Sequence, residues 1–225
     1  MTTTLAAPTA ATTRLVRRAA LIVTPLGPLA VAGLRWLLPY DTTDDPATLV
    51  ARVAASPGAG TAVLWLSLLA LLTLPLGVLV VGAVAARARP VLGTVAAVVA
   101  WIGFANLAFL VPADLMARAG VAAGLPEGST AALVAAVAAD PVSSLATTLF
   151  VLGHVLGTVL LGVALWRVVP RGVAVALIVS QPLHVVAAVV VPNHTLDGLA
   201  WLLTAVGFAA ATAVWADRRL PQPAR

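Results

Sequence analysis

Residues 144–191 read SLATTLFVLGHVLGTVLLGVALWRVVPRGVAVALIVSQPLHVVAAVVV. Two apolar runs, each about 20 residues long, flank the turn Arg167-Val168-Val169-Pro170-Arg171. At ~1.5 Å rise per residue, each run makes a helix of roughly 30 Å, the thickness of a bilayer's hydrocarbon core. The stretch is therefore a membrane hairpin, and it predicts an all-α polytopic fold. Each run carries one histidine. His154 precedes Arg167 by 13 residues and His184 follows Arg171 by 13, which puts both imidazoles at one depth. Ionisable groups inside a bilayer are costly, so the pair is a candidate site.

The same reading extends along the chain. Apolar runs predict six spans, at about 19–39, 61–86, 90–112, 144–166, 172–191 and 198–216. The 225 residues then form one membrane domain, with an arm at 1–18 and a tail at 217–225. Only 9% of residues are charged, against about 25% in a soluble domain. Without cysteine, the chain has no disulfides, thiolate metal sites or cysteine nucleophiles. Its basic residues are all arginine, scattered among span ends with no basic groove, which excludes nucleic acid as a partner.

Flanking charge sets the orientation. Arg14, Arg17, Arg18, Arg87, Arg89, Arg167, Arg171, Arg218, Arg219 and Arg225 fall on one side; Arg35, Arg52 and Arg118 fall on the other. The excess predicts both termini in the cytoplasm of a bacterial inner-membrane protein. Trp36, Tyr40, Trp166, Trp201 and Trp215 sit near span ends as belt aromatics do, and Arg35 is expected to snorkel outward. Arg17-Arg18, an apolar stretch and Ala30-Val31-Ala32 also fit a secretory leader. The apolar run continues through Leu38, beyond a normal leader, and favours a retained span. Pro25, Gly27 and Pro28 are expected to kink it.

Spans two and three resemble spans four and five at an offset of 80: Gly77, Gly82, Arg87 and Pro90 match Gly157, Gly162, Arg167 and Pro170. A short apolar segment precedes each hairpin. The first is capped by Asp45 with Pro46 at its start; the second opens at Ser129 or Thr130. These segments are expected on the outer interface or folded over the mouth of the bundle. Two parallel repeats result, about 46–112 and 130–192, with a central four-helix bundle and the first and last spans at its sides. Gly153-x3-Gly157 marks a close helix contact. At the same offset, His154 corresponds to Leu74 and His184 to Phe104. The duplicated scaffold therefore does not need histidine at this depth.

The candidate pocket lies in the outer half. Thr147, His154 and Thr158 share one face of the fourth span; Ser180, Gln181 and His184 share one face of the fifth. Asn106 lies at matching depth on the third, and Pro182 is expected to bend the fifth beside His184. Four readings are open. The histidines are structural, neutral imidazoles hydrogen-bonded to Gln181, Asn106, a threonine or a carbonyl within a non-enzymatic pocket. They are the two axial ligands of a b-type haem. They line a path for a small solute or protons. Or they hold zinc with Asp197 or His194, although no HExxH, acid pair or Gly-x-Ser-x-Gly accompanies them.

The turn Trp166-Arg167-Val168-Val169-Pro170-Arg171 and the segment Gln181-Pro182-Leu183-His184 resemble uncharacterised multi-span membrane proteins of high-GC bacteria. The resemblance covers the fourth to sixth spans. It implies an integral membrane protein and carries no activity onto particular residues. The partner it implies is the lipid bilayer, with a homo-oligomer or another membrane protein left open.

Overall fold

A computed structural model describes residues 10–217. Arg218, Arg219 and Arg225, which count toward the orientation, lie outside the described residues, as does the arm before Ala10.

Nine α-helices follow one another among the described residues: α1 (Ala10–Leu37), α2 (Pro46–Ala55), α3 (Pro57–Ala88), α4 (Pro90–Ala105), α5 (Val111–Ala122), α6 (Glu127–Ala139), α7 (Pro141–Leu165), α8 (Arg171–Val185) and α9 (His194–Ala216). A 3-10 turn, Asn106–Phe109, joins α4 to α5, and a π-helical segment, Val186–Val190, extends α8. Six stretches are long and apolar enough to cross a membrane: α1 from Arg14, α3, the α4–α5 run, α7, α8 with its π-segment, and α9. The chain is thus suited to a multi-pass membrane protein. The third stretch runs ten residues beyond the expected end at 112, through Ala122. Pro25 and Pro28 sit inside a continuous α1.

The helix starts follow from local chemistry. Asp45 accepts from the backbone N–H groups of Ala47 and Thr48, and Pro46 needs no partner for a missing donor. The backbone N–H of Thr48, then its hydroxyl, hold the Asp45 carboxyl below its ordinary range. Asp140 with Pro141 repeats this device at α7, and Asn193 caps α9. α6 opens at Glu127, two residues before Ser129, because the Pro126 carbonyl already accepts from the N–H groups of Ser129 and Thr130. Gly124, with φ 68°, lets the chain turn sharply out of α5.

The six spans close a ring: α1 packs on α3, α3 on α4, α4 on α7, α7 on α8, α8 on α9, and α9 on α1. This corrects the expected central four-helix bundle with flanking first and last spans. Glycines explain the difference. A Cβ on Gly27 would lie 2.8 Å from Leu74, one on Gly77 would lie 3.0 Å from the Thr24 carbonyl, and one on Gly207 would lie 2.6 Å from Leu177. These approaches seat α1 and α9 between α3 and α8. On the other side, α4 meets α7 where Gly103 faces Gly153 and Ala100 faces Gly157 with backbones in direct contact.

The order short helix, proline-started span, second span occurs twice, as α2–α3–α4 and α6–α7–α8. Gly82 against Ala97 and Gly162 against Ile178 make equivalent close approaches inside the two hairpins. Gly77 and Gly157 do not, since Gly77 meets α1 and α9 and Gly157 meets α4. At one end of the ring, α2, α5 and α6 form a cap with its own small core of Val50, Val53, Ala117, Ala131 and Val134.

Candidate functional site

Just beneath the cap, α7 presents His154 and α8 presents His184, with ring centroids 5.5 Å apart and planes inclined by 54°. The structure brings together the two residues that the hairpin spacing placed at one depth. His154 Nδ1 lies 2.6 Å from the Phe150 carbonyl. A carbonyl only accepts, so Nδ1 carries the hydrogen, and Nε2 of the neutral ring is left as an acceptor. That Nε2 is buried and has no partner. The ring stacks on Phe150 at 4.3 Å and lies near-parallel to Trp201 at 5.9 Å.

His184 is held differently. Its Nδ1 lies 2.5 Å from Asp197 Oδ1, and Arg35 Nε donates to the other oxygen of the same carboxylate. Asp197 is fully buried while Arg35 keeps 11% of its side chain exposed. A second Arg35 nitrogen donates to the Thr42 hydroxyl at 2.7 Å. The carboxylate is thus neutralised by the guanidinium and receives the imidazole N–H as well, the arrangement a buried ion pair needs. The Trp201 indole N–H also points at His184 Nδ1, at 3.1 Å. A nitrogen that donates to Asp197 has no lone pair for the indole, so the two contacts are alternatives. The charge-assisted one is the stronger. His184 Nε2 then remains as an acceptor, like that of His154.

Both histidines line a cavity of about 340 Å³. Its wall is mostly aliphatic and aromatic, with contributions from every span. The 38–45 loop and α5 roof it. Within that roof Tyr40 donates to Asp114, Asp41 accepts from His194 Nε2 at 2.9 Å, and Arg52 reaches Asp41 and Asp44 at 3.3 Å. Burial, and then the negative charge of Asp114, push the Tyr40 phenol above its ordinary value of 10.0. Away from the cap, Leu74, Leu161, Leu177 and Phe208 fill the ring.

Three other expected site residues lie off this wall, and Thr158 with them. Asn106 donates to the Ile102 carbonyl of its own helix at 2.8 Å. It begins the 3-10 turn, whose tighter winding breaks the α-helical register that would aim it inward. Ser180 and Gln181 turn toward α9 instead: Gln181 Nε2 donates to Thr204 at 2.7 Å, Thr204 to Ser180 at 2.9 Å, and Ser180 to the Leu177 carbonyl. Thr158 is buried with no partner for its hydroxyl. Thr147 does line the cavity.

Sequence reasoning missed Arg35 and Trp201 as site residues and offered Asp197 only as a zinc ligand, not as the partner of His184 and Arg35. Arg35 does not snorkel outward but turns in to Asp197. Trp201 is not a belt residue; it is fully buried against both histidines. The signal was the i, i+4 pair Asp197 and Trp201, which puts an acid and a large aromatic on one face of α9.

Haem ligation finds no support in this packing. Two axial imidazoles need centroids roughly 6 Å apart, two metal–nitrogen bonds of about 2 Å plus the ring radii. The separation here, 5.5 Å, is close to that, but Phe104, Phe150 and Trp201 pack around His154 and its Nε2 is buried. No cluster of three metal-ligating side chains occurs among the described residues. No family model, curated protein or solved structure matches the chain.

Proposed function

We propose that this chain is a non-enzymatic binding protein of the bacterial cytoplasmic membrane, whose outer-half cavity takes a small neutral ligand bearing a hydrogen-bond donor. One observation carries the reading. The buried Nε2 of His154 is an acceptor without a donor, on a side chain that lines the cavity. A buried acceptor left unpaired costs about 1–3 kcal/mol, which a ligand O–H or N–H would recover. His184 adds a second acceptor. The charges at the site favour a neutral ligand, since Arg35 is already paired with Asp197.

The cap belongs on the outer face in this reading. Arg87, Arg89, Arg167 and Arg171 at the opposite end of the ring support it, and both termini are then cytoplasmic. The equivalent roles of Gly82 and Gly162 support an origin of the two hairpins by parallel duplication. A solute or proton path has less support, because packed leucines and Phe208 close the cavity toward the cytoplasmic half.

The test uses 1-naphthol and 1-methylnaphthalene, which differ by a hydroxyl against a methyl group. The chain in lipid nanodiscs should prefer 1-naphthol by about tenfold, the worth of one buried hydrogen bond. His154→Leu and His184→Leu should erode that preference. Equal binding of the two probes by the unaltered chain would overturn the reading. A Soret band on haem addition, lost in His154→Leu, would revive haem.

A further inference from the structure

The cavity is roofed on the cap side and the ring beyond it is filled by apolar packing, yet its side wall reaches the lipid-facing surface. Val151 of α7 and Val189 of the π-segment both line it. They are also 40% and 52% exposed. Deeper in the ring, α7 and α8 are tightly joined, with Gly162 against Ile178 and the Ala174 carbonyl. Toward the cap they part: the π-segment packs on α8 and α9, with no substantial contact to α7. The cause lies in the backbone. Pro182 has no N–H to continue the helical ladder, and nine residues later the Val191 N–H reaches back to the Val186 carbonyl, the wider i to i+5 winding. Segments of this winding are found frequently at functional sites.

We infer that the ligand is a neutral hydroxylated aromatic dissolved in the bilayer, and that it reaches the histidines sideways between α7 and the π-segment. This rests on the binding reading and adds the ligand's class and route. Both rims of the portal are valine, so nothing in it would hold a charged or strongly hydrated solute. Inside, Phe150, Trp201 and Tyr40 offer aromatic surface beside the two imidazole acceptors. The bonds that tie down the roof, Tyr40 to Asp114 and His194 to Asp41, oppose access from water.

Stopped-flow binding of 1-naphthol to the chain in nanodiscs tests the route. Val151→Trp and Val189→Trp place bulk in the portal. Each should slow association and dissociation together by about tenfold while the preference for 1-naphthol over 1-methylnaphthalene, set by the histidines, is retained, because a gate alters rates and not the hydrogen bond made in the bound state. The milder Val189→Leu, with a smaller slowing in the same direction, serves if a tryptophan variant does not fold. Arg52→Ala, which removes the contacts of α2 to Asp41 and Asp44 in the roof loop and so loosens the roof, should leave both rates unchanged. The charged, water-confined 1-naphthol-4-sulfonate should not bind. Histidine-dependent binding with rates indifferent to the portal but raised by Arg52→Ala would overturn the lateral route and leave the binding reading intact. Binding of the sulfonate as tightly as 1-naphthol would overturn the ligand class. Absence of any histidine-dependent preference for the hydroxyl would overturn both.

Discussion

Arg35 of the first span and Asp197 of the last form an ion pair 162 residues apart in sequence, with the carboxylate fully buried. The pair lies where α1 meets α9 and so closes the six-helix ring. Losing one partner should cost more than losing both. Asp197→Leu alone leaves a largely buried guanidinium with no bonded carboxylate, only the Thr42 hydroxyl, and also releases His184. It should lower stability by about 3–5 kcal/mol. Arg35→Met with Asp197→Leu replaces both charges by apolar volume and should recover much of that loss. Denaturant melts in detergent of both singles and the double close the cycle. Additive effects would mean that the pair is not energetically coupled.

The α4–α7 contact predicts a position-dependent response to a single methyl group. A Cβ on Gly103 would overlap the backbone of Gly153 and His154, and one on Gly157 would overlap Ala100. Gly103→Ala and Gly157→Ala must therefore separate the two helices, at a cost of about 1–3 kcal/mol. Gly58, in the first turn of α3, has nothing within 4 Å of its would-be Cβ. There Gly58→Ala should be neutral or stabilise by up to about 1 kcal/mol, through a less flexible unfolded chain. The check is thermal unfolding of the three variants side by side. A destabilised Gly58→Ala would contradict the open space seen at that position.

What sequence could and could not reveal divides by range. The spans were readable because each is a local run whose length alone fits a bilayer, and the cap at Asp45 because capping acts within three residues. The depth match of His154 and His184 followed from one short turn. Arg35 and Asp197 were not readable as a pair, since which spans touch is decided by glycine contacts such as Gly27 with Leu74, invisible in hydropathy. Asn106, Ser180 and Gln181 were placed in the pocket by depth and helical period. Depth says nothing about which neighbour a side chain meets: Gln181 found Thr204 on α9. Asn106 was lost for another reason, the local change to 3-10 winding.

Tyr40 offers a clean pH readout, being the chain's single tyrosine. Burial, then Asp114, raises its phenol above 10.0, so the neutral form is favoured in the folded chain. The sign follows. Stability from this group is fully present below pH about 10, where the unfolded phenol is also neutral, and falls as pH rises beyond it. Tyrosinate absorbance should therefore stay absent in the folded protein somewhat above pH 10 and appear together with loss of the cap. Tyr40→Phe should flatten the alkaline fall in melting temperature. Titration at the ordinary value without change in the melts would contradict the buried Tyr40–Asp114 bond.

The α8–α9 cluster makes the last prediction, because its members are unequally satisfied. Thr204 stands in the middle, accepting from Gln181 and donating to Ser180, and all three side chains are buried. Thr204→Val keeps the shape but strips partners from two buried groups, and should cost about 1–3 kcal/mol. Gln181 already has an unpartnered carbonyl oxygen, so part of the cost of burying its amide is never recovered. Gln181→Met removes that oxygen and the donor to Thr204 together, at similar volume, and should be close to neutral. In the double variant Gln181→Met with Thr204→Val, only Ser180 loses a partner, and its hydroxyl still donates to the Leu177 carbonyl at 2.9 Å. The double should therefore be more stable than Thr204→Val alone, with the order read from melts in one detergent. It should also leave 1-naphthol binding unchanged, since neither residue borders the cavity. Loss of binding in the double would place this cluster in the ligand site and move the pocket deeper along α8.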